Sequence, residues 1–311
     1  MSTRRGDDAS GPWQCDHGAQ YFTARDDAFR AEVRRWQNAG AAALWEARIL
    51  SFDGETWRTS DAPPERFVGT PRMTSPATWL AGSLGERAMC QWQTTVQPLQ
   101  APTGAGWQLH SPEHGPEAQR YQAVLLAVPA PQAAPLLEAV APKAATLARS
   151  APMRACWSVM VRCPQPVPLP VDGCFVEHSP LRWIARDSSK PGRSGPETWL
   201  LHASHAWSEA HVHDDAAAVT TALLQAFAQL GGPDPASVQS LSLRFALSGR
   251  SVVVTGDTGP SERLTQLAQC ADVLLSSVLD LGAAVAAIRA SRPGATPAFY
   301  ETARAHFAQH H

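Results

Sequence analysis

Lysine is nearly missing from this 311-residue chain: of 26 basic residues only Lys143 and Lys190 are lysines. Set against 28 acidic residues this leaves a formal charge of -2 and no basic stripe, so nucleic acid is not expected as a partner. A CxxC pair is also lacking. The six cysteines (Cys15, Cys90, Cys156, Cys163, Cys174 and Cys270) are scattered, which fits reduced thiols better than a disulfide frame or a zinc site. Nor is there a run of about 20 apolar residues able to cross a bilayer. The stretch 123–137 is broken by Pro129, Pro131 and Pro135, and 271–288 carries Asp272 and Asp280, so no membrane span is expected. Met1 to Asp8 is charged with no apolar run behind it, so a secretory leader is not expected and the cytoplasm is the expected location.

What is present is a chain 44% hydrophobic, enough for one large or two ordinary domains with real cores, punctuated by 26 prolines and 21 glycines. Asp26 predicts the cap of a helix running to about Gln37, with Phe29, Val33 and Trp36 on one face, and Ala19 to Phe22 before it reads as a short strand. Asp53-Gly54 between 45–52 and 56–59 predicts a hairpin. A helix is expected over 75–84, and strands over 88–99 and 107–110 divided by the turn Thr103-Gly104-Ala105-Gly106. Ala123 to Val128 is apolar without alternation, the pattern of a strand buried on both faces in a parallel sheet, with a helix over 132–140 after it. Runs at 156–162, 174–177, 183–186 and 198–202 predict a mostly antiparallel sheet, and Asp214 or Asp215 caps a helix to about Leu230. The loop 231–240 reads as a linker to two strand–helix units (251–269 and 272–290) and a last helix over 297–309.

Several blocks in order, Met1-Ser2-Thr3-Arg4-Arg5, Asp16-His17-Gly18-Ala19-Gln20-Tyr21-Phe22-Thr23-Ala24-Arg25, Phe67-Val68-Gly69-Thr70-Pro71 with Met73, Ala127-Val128-Pro129-Ala130-Pro131-Gln132-Ala133 and Trp183-Ile184-Ala185-Arg186-Asp187-Ser188-Ser189-Lys190-Pro191-Gly192-Arg193, are followed by Leu201-His202-Ala203-Ser204 and Trp207-Ser208. From Met1 to about Pro235 the chain thereby resembles the renalase-like branch of the flavin-dependent amine oxidases. The resemblance implies a mixed α/β (α+β) chain with an FAD-binding domain over 1–150, into which substrate-domain strands are inserted, and a substrate-domain sheet over 151–235. It implies FAD as cofactor, with reduced NAD(P)H or an amine as the small-molecule substrate. By the same resemblance Ser2, Thr3 and Arg4 lie near the cofactor, His17, Gly18, Ala19 and Gln20 near the isoalloxazine ring, and Val96 near the adenine. His17 is the catalytic candidate, against a structural hydrogen-bonding role; Arg4 and Arg5 read alternatively as a solvated charge pair. The strand followed by Gly-x-Gly-x-x-Gly and a helix, which opens a dinucleotide fold, is nowhere in the sequence. A start inside the cofactor domain is therefore expected, with an exposed sheet edge that an oligomer or a partner would cover.

From about Leu243 to His311, Arg250 to Glu262 with Leu267-Ala268 and Ala271 to Leu275 resembles the metallo-β-lactamase superfamily, as a βαβα fragment over 243–311. That resemblance makes Asp257 a metal-ligand position, while the residues alone read Gly256-Asp257-Thr258-Gly259 as a turn. The near-miss histidine motif His211-Val212-His213-Asp214-Asp215-Ala216 reads as a polar cap of the next helix, not a metal set. Three functions follow for testing: a flavin-dependent oxidoreductase, a metal-dependent hydrolase fragment, and a non-catalytic fusion remnant.

Overall fold

The computed structural model describes residues 3–8, 11–85, 88–104 and 106–245. Ser2, Asp257 and the strand–helix units predicted beyond 245 lie outside the described residues. The described chain divides into two compact units, one formed by residues up to Met89 together with 154–245, the other by Cys90–Met153.

The chain opens on a hairpin of β1 (Thr3–Asp8) and β2 (Gly11–Asp16), paired so that Thr3 faces Asp16. Helix α1 (Asp27–Asn38) starts where predicted: the Asp26 carboxylate accepts from the Phe29 N–H and satisfies a free helix-end donor. Its apolar face, Val33 and Trp36, packs with Phe22, Phe29 and Phe67. Strand β3 (Ala42–Leu44) pairs with β6 (Phe67–Gly69), and β4 (Ile49–Phe52) with β5 (Trp57–Thr59) around Asp53-Gly54. There Asp53 accepts from the Glu55 and Thr56 N–H groups, and Gly54 takes the positive φ of +104° that the turn requires. Helix α2 covers Ser75–Ser83. The strand expected at 19–22 is reduced to one bridge, Phe22 to Phe67, because Asp16 to Gln20 form a side-chain-stapled turn instead.

In the second unit the hairpin β7 (Trp107–Ser111) and β8 (Gly115–Tyr121) sits with helices α3 (Ala130–Leu137) and α4 (Pro142–Ser150). Small residues Ala133, Ala134, Ala144, Ala145 and Ala148 let the two helices pack closely around Leu137. Two sequence expectations fail here. Residues 88–100 are irregular, holding to their surroundings through Gln97 N–H to the His110 carbonyl and Leu99 N–H to the Leu136 carbonyl. Ala123–Val128 is irregular as well, with Leu126 buried and Leu125 59% exposed. An apolar run predicts burial, but a strand exists only where a neighbouring backbone completes its ladder, and among the described residues none pairs with it.

The chain then supplies β9 (Cys156–Cys163), β10 (Gly173–Val176), β11 (Leu181–Arg186), β12 (Glu197–Ala203), α5 (His205–Ala210), α6 (Ala216–Gln229) and β13 (Gln239–Phe245) to the first unit. A seven-stranded sheet runs β13-β9-β12-β11-β10-β4-β5, antiparallel except where β10 lies parallel to β4. Residues 231–240, read as a linker, instead lead through a 3-10 turn at 235–237 into β13, which pairs along β9. Asp215 caps α6 by accepting from the Ala217 and Ala218 N–H groups, and His211 Nδ1 lies 2.6 Å from Asp214, so this polar stretch serves the helix start. One sheet face, with Trp157, Val159, Val161, Trp199 and Leu201, is covered by Val219, Leu223 and Phe227 of α6. Burying each such side chain stabilises the fold by roughly 1.5–3 kcal/mol.

Candidate functional site

The opposite face of the sheet carries Ser158, Met160, Leu200, His202, Trp183 and Ala185, and it too is buried or nearly so, against the β1–β2 hairpin and the turn after it. Three of the sequence blocks, distant along the chain, meet here: 16–20 at the end of β2, 69–73 after β6, and 187–193 after β11.

Their junction is a closed ion-pair network. The Lys190 ammonium is 2% exposed as a residue, and its three protons meet three acceptors: Asp187 Oδ1 at 2.6 Å, Gln20 Oε1 at 3.1 Å and Asp16 Oδ2 at 3.2 Å. It also lies 5.7 Å above the Trp45 ring, whose Nε1 donates to Ser189 Oγ at 3.1 Å. Arg193 donates to Asp16 Oδ2 at 2.5 Å and to the carbonyls of Gly69 and Pro71. Asp16 in addition accepts from Thr3 Oγ1 at 2.6 Å. Burial pushes the Asp16 carboxyl up, but Lys190 and Arg193 outweigh it and hold the group below the usual carboxylate range. Asp187 is held above that range, because burial dominates and the Asp16 charge adds to it, with Lys190 opposing.

Glycines make this convergence fit. A Cβ on Gly69 would collide with the Arg72 carbonyl oxygen, and one on Gly192, at φ +72°, would come within 2.6 Å of Thr70 Cγ2.

The network ends in the turn that the resemblance places at the flavin ring. Gln20 Nε2 donates to the carbonyls of Asp16 at 2.6 Å and Gly18 at 3.1 Å. The His17 carbonyl accepts from Ser158 Oγ at 3.3 Å and faces His202 Nε2 at 3.1 Å, a contact that calls for the Nε2–H tautomer. Burial lowers the His202 pKa to about 4, and burial likewise lowers that of His17, against the pull of Asp16. Beside the turn, Tyr21, Trp45, Trp183 and Phe175 form an aromatic wall with centroid separations of 4.6–6.3 Å.

The candidates from sequence fall in three places. His17, Gly18, Ala19 and Gln20 form the turn itself. Thr3 and Arg4 lie on β1, where the Thr3 hydroxyl is committed to Asp16 and Arg4 is exposed. Val96 lies in the other unit, packed on the Leu99–Leu126–Leu137 core. Sequence reasoning quoted Asp16, Asp187, Lys190 and Arg193 inside its blocks but gave them no role. The available signal was Lys190, one of two lysines in the chain and three residues after an aspartate. Groups of His, Cys, Asp or Glu able to hold a metal are absent among the described residues. The five described cysteines are free, with burial raising Cys156 to about 11 and Cys163 and Cys174 to about 12. No helix among the described residues is long and apolar enough to cross a membrane.

For the ring end of a flavin the turn offers small side chains, the Lys190 and Gln20 donors beside it being engaged within the protein. Gly18 and Ala19 bring little side-chain bulk to the turn, and in the network joined to it two carboxylates stand against two cations. For the diphosphate end, the described residues contain no strand–glycine turn–helix unit.

The fold is similar to that of two solved oxidases. A putative protoporphyrinogen oxidase from Exiguobacterium sp. 255-15 superposes with a TM-score of 0.52 at 16% identity, covering 78% of this chain and 53% of that one. A triple mutant of putrescine oxidase, from a redesign of its cofactor binding, gives a TM-score of 0.50 at 12% identity, covering 68% and 48%. Cyclohexylamine oxidase from Brevibacterium oxydans IH-35A gives 0.47 at 14%, covering 58% and 40%. The chain thus spans about half the length of the solved structures it matches. No family model matches it.

Proposed function

We propose that this chain is part of a flavin-dependent oxidoreductase of the renalase-like kind, accepting a hydride from a reduced nicotinamide or an amine. The observation that carries this reading is the meeting of blocks 16–20, 69–73 and 187–193 in one buried network directly under the ring-side turn. FAD, when bound, supplies the two-electron acceptor, and the protein's part is to hold and shield it. His17, Gly18, Ala19 and Gln20 would hold the ring edge. Ser158 and His202 fix the His17 carbonyl, and the Tyr21–Trp45–Trp183 wall excludes water from the same sheet face.

Titrating the chain with FAD and following flavin fluorescence and visible absorption tests this. Saturable binding that weakens in Gly18→Val, with the far-ultraviolet dichroism unchanged, is the expected result. A chain that leaves the flavin spectrum unaltered at all concentrations refutes it. The hydrolase alternative has no described ligand set to rest on, and its one candidate, Asp257, lies outside the described residues.

A further inference from the structure

Buried lysines in this setting are costly, and a salt bridge so enclosed is weak evidence of stabilisation. Lys190 is enclosed completely, and its geometry points elsewhere. Two of its three partners, Asp16 and Gln20, belong to the ring-side turn, and the third, Asp187, belongs to the 3-10 turn after β11. Gln20 is where the effect concentrates. An amide side chain can be turned over at little cost unless its two ends are told apart. Here Lys190 occupies the oxygen end, which leaves the Nε2 end to donate to the Asp16 and Gly18 carbonyls across the turn. Remove the ammonium and the oxygen end loses its buried donor, leaving the two carbonyl acceptors alone to hold the amide in register.

We infer that Lys190 is the positioning residue of the site: acting through the Gln20 amide, it fixes the His17-Gly18-Ala19 backbone before any ligand arrives. This rests on the flavin reading only for what the turn receives; the positioning itself belongs to the protein alone. Its consequence for binding is preorganisation, the ordering cost of the turn being met on folding instead of on association. Asp187 serves as the anchor on the sheet side, tied to β11 through the 3-10 turn.

The test compares Lys190→Met, Gln20→Leu and, as a control, Phe227→Ala, which lies in the core on the opposite face. Backbone hydrogen exchange is measured without flavin. Exchange over 16–22 is expected to rise about tenfold more than exchange over α6 in Lys190→Met and Gln20→Leu, whereas in Phe227→Ala α6 rises more than 16–22. FAD affinity, from fluorescence quenching, is expected to fall about tenfold in the same two variants and not in the control. Unchanged exchange over 16–22 overturns the inference, and so does faster exchange with undiminished FAD affinity. If Lys190→Met does not fold, Gln20→Leu, which removes no charge, decides the outcome. If the wild-type chain takes up no FAD, the flavin reading falls and the exchange arm alone judges Lys190.

Discussion

The two faces of the seven-stranded sheet are built by opposite chemistry. Toward α6 lie Trp157, Val161, Trp199, Leu201, Leu223 and Phe227, an apolar layer whose burial accounts for itself. Toward the β1–β2 hairpin lie Met160, Leu200, Trp183 and Ala185 and, beyond them, two carboxylates, two cations, a glutamine and His17 held away from water, with His202 half-buried beside them. This second face is assembled at a desolvation cost that its ion pairs and hydrogen bonds must offset.

The largest expected effect comes from breaking the charged face with one substitution. Lys190→Met leaves Asp16 and Asp187 sharing Arg193 and should destabilise the protein by about 3–5 kcal/mol in urea unfolding. The double variant Asp187→Asn/Lys190→Met, which removes one charge of each sign, should recover part of that loss. A double variant no better than the single would mean that packing of the Lys190 stem, not charge, is what matters. On the apolar face Phe227→Ala should cost about 3–5 kcal/mol through the cavity it leaves, with no dependence on salt or pH.

Acid should separate the faces further. The His202 pKa of about 4 lies below the unfolded value near 6.5, so between those pH values the unfolded chain binds more protons than the folded one. Stability is therefore complete above about pH 6.5 and lost as pH falls toward 4, by at most about 3 kcal/mol for this group. His17, also lowered, titrates in the same direction. His202→Gln should flatten much of that slope in pH-dependent unfolding, and a slope left intact would remove His202 from the account. The smallest effect is expected far from both faces: Asp26→Ala removes the α1 cap and should cost about 1 kcal/mol, read as a shift in unfolding midpoint.

The sequence was most legible where the signal is local. Asp26 and Asp215 marked their helices, Asp53-Gly54 its hairpin, and the β-type runs over 156–202 the core of the sheet, because caps, turns and alternation act within a few residues. It misled where structure depends on a neighbour. Ala123–Val128 has the composition of a central strand and no ladder among the described residues, and β13 was not read as a strand, the linker over 231–240 running into its first two residues, because pairing with β9 leaves no local mark. The residues of the turn at 16–20 were singled out through resemblance, and the ion-pair network joined to it was not, since Asp16, Gln20, Asp187 and Lys190 are up to 174 residues apart.

A protein with only two lysines carries its own gauge of opening. Lys143 is exposed, while Lys190 has every ammonium proton engaged out of reach of solvent. Acylating reagents should therefore modify the first side chain promptly and reach the second only when the sheet and hairpin part, so the rate at which Lys190 becomes tagged times that separation directly.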